Sequence, residues 1–245
     1  MRRMALVLGL LATGLAGPAE ALSTYSGSLS VADGGLVAYG LGWSGVSGLW
    51  TAATTLEWTV TETSPGMWHY EYRLTVPSPA IGRMIIEASD GNPGPAFTSA
   101  NMQSVSSGVY PWITGATVGM QNVSPENPGM PEDMYGMNSD SSIALTTLDL
   151  SFDSDRGPVW GDFYARTLGF VCPANGQYTV SWLEWVHNTG FTISDIDPAA
   201  AAANGSILFH LLVPDSTPGI PAPGALLLSC LGMAFVGWLR RRGTM

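Results

Sequence analysis

The feature that most constrains this chain is strict two-residue alternation between positions 56 and 76. Leu56, Trp58 and Val60 share one parity, and Glu57, Thr59 and Thr61 share the other. After Thr63-Ser64-Pro65-Gly66 the alternation resumes. Trp68, Tyr70, Tyr72, Leu74 and Val76 fall on one side, with His69, Glu71, Arg73 and Thr75 opposite. Successive side chains of a strand point to opposite faces, so two such runs joined by a Pro-Gly turn specify an antiparallel hairpin with one apolar face. A helix would scatter the same residues around its circumference. That apolar face must be covered, which requires a second layer.

The rest of the chain extends this pattern. Further strands are expected over residues 81–88, with Met84, Ile86 and Ala88 inward. Others are expected over 143–152, with Ala144, Leu148, Leu150 and Phe152 on one side, and over 159–167, with Trp160, Asp162, Tyr164 and Arg166 sharing a face. Residues 177–186 and 206–213 complete the set, the last with Ile207, Phe209, Leu211 and Val213 on one face. Residues 22–53 read as short irregular strands with turns at Asp33-Gly34-Gly35 and Ser44-Gly45. Residues 90–138 are interrupted by Pro and Gly and form a long excursion, with short strands near 109–113. Asp197, Pro198 and the alanines at 199–203 predict one capped helical turn. With 30 glycines, 17 prolines and almost no 3.6-residue periodicity, the fold class is all-β, an antiparallel β-sandwich or jelly-roll-like body.

The two ends read differently. Residues 1–21 form a signal helix. Arg2 and Arg3 precede an apolar stretch at 5–17, and Ala19 and Ala21 supply the small residues before a signal peptidase cut at Leu22. Residues 224–239 carry no charge and precede Arg240-Arg241-Arg242. As a helix this run spans ~24 Å, to be set against a hydrocarbon core of ~30 Å. Trp238 suits the interface, and the arginines can snorkel and hold the C-terminus on the cytoplasmic side. A single transmembrane helix is therefore expected, beginning sharply after Pro221 and Pro223.

Pro221-Ala222-Pro223-Gly224-Ala225, followed by a short apolar helix and an arginine cluster, resembles the PEP-CTERM sorting signal of exported bacterial proteins. The usual motif is Pro-Glu-Pro, and this chain fits a Pro-Ala-Pro-Gly-Ala subtype. The resemblance covers about a tenth of the chain. It implies recognition by an exosortase-type membrane protease that removes the anchor, and exopolysaccharide as a neighbour. The stretch from Trp58 to His210, especially Arg156 to Tyr164 and then Leu211 to Asp215, is similar to exported bacterial β-proteins with tails of this kind. The implied order is a signal peptide (1–21), an extracytoplasmic β-domain (22–213), a linker with the sorting motif (214–223), a transmembrane helix (224–239) and a basic tail (240–245).

Charge narrows the partners. The chain has no lysine, and its body holds Arg73, Arg83, Arg156 and Arg166 against 18 carboxylates, a formal charge of −14. Such a surface repels nucleic acid and anionic headgroups. Cys172 lies in the body and Cys230 in the membrane run, so no internal disulfide is expected.

No catalytic residue, cofactor or metal emerges from spacing. His69, His187 and His210 are scattered, without zinc-type spacing. Asp153/Asp155 and Asp195/Asp197 offer oxygen ligands but continue into no calcium loop, and they read as turn and cap residues. Gly42-Trp43-Ser44-Gly45-Val46 fails the nucleophile-elbow pattern, and without lysine there is neither a Walker loop nor a Schiff base. Cys172 reads as a small buried thiol.

Two features keep sugar chemistry in view. Glu57 and Glu71 lie on adjacent strands, and Glu184 lies between Trp182 and Trp185; a glycosidase needs paired carboxylates beside aromatic platforms. Trp58 and Trp68 fit the core, while Trp112, Trp182 and Trp185 are candidates for exposure. The expectation is an exported, non-catalytic surface or matrix protein, with a carbohydrate-binding or carbohydrate-cleaving module as the alternative.

Overall fold

The computed structural model describes residues 22–40, 53–77, 81–91, 95–107, 113–167, 170–174, 177–181, 184–193 and 196–218. The signal helix with Ala19 and Ala21, the sorting motif Pro221 to Gly224, the transmembrane run and Arg240 to Arg242 lie outside the described residues. Among those described, no helix is long and apolar enough to cross a membrane.

The described body is all-β and every strand pairing is antiparallel. The first strands are β1 (Thr24–Ser30), β2 (Leu36–Gly40), β3 (Thr55–Ser64), β4 (Met67–Thr75) and β5 (Ile81–Glu87). A 3-10 turn at Ser99–Asn101 leads into β6 (Gln103–Ser107), β7 (Ile113–Gln121), β8 (Met134–Leu145) and β9 (Thr147–Ser154). Then come β10 (Arg156–Gly161), β11 (Phe163–Thr167), β12 (Phe170–Ala174), β13 (Gln177–Ser181), β14 (Glu184–Asn188) and β15 (Leu211–Pro218).

Five strands make one sheet in the order β1-β3-β4-β9-β6, and six make another in the order β2-β14-β11-β5-β8-β7. The β10-β15 and β12-β13 pairs form separate ribbons.

The hairpin at positions 55–75 forms as its alternation requires. Trp58 pairs with Tyr72 and Val60 with Tyr70, and all four are buried. Gly66 closes the turn at φ +76°, a conformation that costs a residue with a Cβ. β9 continues the same alternation and places Leu148, Leu150 and Phe152 beside them. Met84, Ile86, Phe163, Ala165 and Val186 of the six-stranded sheet join the same hydrophobic cluster. Trp160, Leu211, Leu212 and Val213 of the β10-β15 ribbon also belong to it. Two tyrosine hydroxyls tie this ribbon to the hairpin: Tyr70 donates to the Arg156 carbonyl at 2.8 Å and Tyr72 to the Leu212 carbonyl at 2.9 Å.

Several expected elements are rearranged. The strand expected at 143–152 is two strands, because the chain leaves the six-stranded sheet at Leu145 and enters the five-stranded sheet at Thr147. The strand expected at 159–167 breaks at Asp162, whose amide leaves the ladder and donates to Glu87 Oε2 at 2.7 Å. The run 177–186 is divided between β13 and β14.

The strand expected to begin at 206 begins at Leu211. The preceding residues form a turn in which Ile207 and His210 bridge, with Leu208 at φ 49° and Phe209 at φ 65°. Phe209 is thus partly exposed and not aligned with Leu211 and Val213. The helical turn expected at 199–203 is absent, since so short a segment cannot offset the cost of nucleation. Tertiary bonds hold it instead. Trp160 Nε1 donates to the Ala201 carbonyl, and Asn204 Oδ1 accepts from the Ser26 amide. At the other end of the body, β15 runs through Pro218, into the segment expected as linker.

Candidate functional site

The residues singled out for chemistry fall in three places. The first is the solvent face of the five-stranded sheet. Its pairing aligns Ser28, Glu57, Arg73 and Asp149 across four strands, with Thr59, Glu71 and Ser151 in the adjacent row. Arg73 donates from Nε to Asp149 Oδ1 at 2.6 Å and sits opposite Glu57. Its guanidinium is pushed above its ordinary value by the bond to Asp149, and by Glu57 and Glu71. A shallow groove of about 760 Å³ follows these rows. Glu57 and Glu71 are therefore brought onto one face, but as exposed members of a charge ladder around Arg73. Beside them His69 Nδ1 lies 2.6 Å from Asp153 Oδ1. Asp155, the other half of that Asp pair, accepts from Asn101 Nδ2 and lies 3.6 Å from Arg156. Glu184, grouped with the other two glutamates on sequence grounds, is 1 % exposed and away from this groove.

The second place is the outer face of the six-stranded sheet. One row runs Tyr39, Trp185, Arg166, Arg83, Asp140 and Thr114 across it. Tyr39 is 48 % exposed and packs on Trp185 with ring centroids 4.6 Å apart. Arg83 is held by Asp140 at 2.7 Å and by Asn127 at 3.0 Å. Burial pushes the Arg166 guanidinium down to about 10, and the like charge of Arg83 adds to this.

The loop after β7 covers part of this face. Tyr164 donates to the Pro128 carbonyl at 2.8 Å, and burial pushes its hydroxyl pKa up. Ile85, Met130, Met134, Tyr164 and Phe191 form a second small apolar cluster beneath it. His187, in the neighbouring row, has its imidazole pKa lowered by burial, partly offset by its 2.9 Å contact with the Asn188 carbonyl.

The third place was not indicated by residue spacing. Asp162, at the break between β10 and β11, and His210, at the end of the left-handed turn, are both buried. Asp197 reaches them from the coil that was expected to be helical. His210 Nδ1 lies 3.1 Å from Asp162 Oδ1 and 3.6 Å from Asp197 Oδ1. Asn188 orients the first carboxylate, donating from Nδ2 to Asp162 Oδ1 at 2.6 Å and also to the Phe209 carbonyl. His210 is further confined by Gly190, where a Cβ would stand 2.6 Å from Nε2. The sequence signal available was weak: Asp197 marked a cap, Asp162 a strand face and His210 a lone histidine. Asp195, the expected companion of Asp197, lies outside the described residues.

No known protein family, curated protein or solved structure matches this chain. The functional reading therefore rests on residues and geometry. Trp43, Trp50, Trp112 and Trp182 lie outside the described residues, and the side chain of Cys172 is not described.

Proposed function

We propose that this chain is an exported cell-envelope protein whose body is a β-sandwich and which serves without catalysis at the cell surface or in the extracellular matrix. Signal peptidase removes residues 1–21. The run at 224–239 then holds the protein in the inner membrane, body outward, until an exosortase-type enzyme acts at Pro221-Ala222-Pro223-Gly224. The observation that carries this reading is the tail itself: a helix-breaking Pro pair, an uncharged run long enough to engage a bilayer, and three consecutive arginines. An acidic, lysine-free body repels nucleic acid, which leaves neutral or cationic surface components as its neighbours. The test is deletion of residues 221–245 followed by cell fractionation. The full chain is expected in the membrane and surface fractions, and the truncated chain free in the periplasm or medium. Identical fractionation of the two chains would refute the reading.

A carbohydrate-binding role is favoured by one feature, the exposed Tyr39 packed on Trp185 at the end of a row containing Arg83 and Asp140. Aromatic faces stack on sugar rings, and such charged groups hydrogen-bond hydroxyls. Polysaccharide retention lost on Tyr39→Ala supports this role, and equal retention of both proteins removes it.

A further inference from the structure

We propose that Asp162, Asp197 and His210 bind a divalent first-row transition ion of the Zn²⁺ type through Asp162 Oδ1, Asp197 Oδ1 and His210 Nδ1, with a further position open to water or an outside ligand. One ligand atom from each of the three residues lies within 4.8 Å of those of the other two. An ion with bonds of ~2.0–2.2 Å places adjacent ligands ~3–3.6 Å apart, depending on coordination number. The two separations from His210 Nδ1, 3.1 and 3.6 Å, lie in that range.

An Asp-His ion pair alone accounts less well for the arrangement. An imidazole nitrogen carries at most one proton, yet two carboxylates from separate parts of the chain converge on Nδ1. A metal ion bonded to that nitrogen can take a ligand from each carboxylate at once.

The surroundings select for a cation. Asp162 and Asp197 line a cavity of about 290 Å³ together with Glu87, Asp90, Glu132 and Asp133, and none of the described residues lining it is an arginine. Asp197 is 44 % exposed, which leaves a path for the ion. The imidazole sets the class: Ca²⁺ seeks six to eight oxygens, whereas Zn²⁺ accepts mixed nitrogen and carboxylate ligands. Asn188 supplies the outer hydrogen bond that typically orients a ligating carboxylate. The left-handed backbone at Leu208 and Phe209 brings His210 into reach. Strained residues of this kind persist where the surrounding structure holds them.

The test uses the full-length chain in mild detergent, stripped with chelator and titrated with Zn²⁺, Co²⁺ and Ca²⁺. One Zn²⁺ per chain is expected by calorimetry, with Co²⁺ giving visible d–d absorption and Ca²⁺ failing to displace it. Asp197→Asn alters an exposed carboxylate and should leave folding intact while weakening Zn²⁺ binding ~10-fold or more. His210→Gln should abolish the Co²⁺ spectrum. Asp90→Asn removes a charge from the same cavity without touching the ligand set, and should change affinity less than twofold. The proposal is overturned if Zn²⁺ does not bind, if Ca²⁺ competes equally, or if Asp90→Asn and Asp197→Asn weaken binding alike.

Discussion

Replacing Gly129 with alanine isolates what holds the β7-β8 loop against the six-stranded sheet. Gly129 sits at φ +71°, and a Cβ there would stand 1.7 Å from Trp185 Nε1. Gly66 has nearly the same backbone, φ +76°, but nothing within 4 Å of its virtual Cβ. The pair separates backbone strain from steric exclusion. A left-handed alanine costs ~1–2 kcal/mol, so Gly66→Ala should lose about that much.

Gly129→Ala adds expulsion of the indole. Re-exposing ~100 Å² of aromatic surface at ~25 cal/mol/Å² costs ~2.5 kcal/mol, for a total of ~4. If the loop moves instead, it strains the Tyr164 bond to Pro128 and the Arg83 bond to Asn127, worth ~1 kcal/mol each or more, and the total is similar. Urea unfolding followed by tryptophan fluorescence gives both numbers, provided the slope is unchanged between variants. The reasoning is refuted if the two variants differ by less than ~0.5 kcal/mol, since the indole would then not be pinned by this glycine.

Phe152→Ala removes a fully buried ring that stacks on Tyr70 at 5.2 Å, and should cost ~3–5 kcal/mol in the same urea assay. Tyr72→Phe deletes the hydroxyl that donates to Leu212 and should cost ~1 kcal/mol; no loss would mean that the β10-β15 ribbon needs no such tie. His187 has its pKa lowered by burial, so the unfolded chain binds its proton more readily. Its contribution to stability is therefore fully present above the unfolded value of ~6.5 and is lost as pH falls toward the folded pKa. Unfolding free energies measured from pH 8 to 5 should fall less steeply for His187→Gln, and identical slopes would contradict the assignment.

The hairpin around Gly66 could be read directly because each of its strands has one apolar and one polar face. Leu56, Trp58 and Val60 must be covered whatever the neighbours are. The same held for Leu148, Leu150 and Phe152 on β9. Legibility ended where both faces are covered. Phe163 to Thr167 are buried on both sides, the outer one partly by the loop that carries Pro128 and Gly129, so polarity no longer reports direction. Asp162 looked like one more residue of a continuous strand. Its role as a break depends on Glu87, which pairs with its backbone from another strand.

The candidate ion site lay further out of reach. Its three members come from a strand break, a coil and a left-handed turn, and no spacing rule connects them. The glutamates that spacing did suggest share a sheet face with Arg73, or, for Glu184, are buried.

Local chemistry thus determined the class of this protein: alternation demands strands, and Pro and Gly place many of the turns. Tertiary structure alone decided where the chain changes sheets, which faces are covered twice and which distant polar groups meet. Local rules depend on side chains a few residues apart, whereas Asp162, Asp197 and His210 converge only after the intervening chain has crossed the fold and returned.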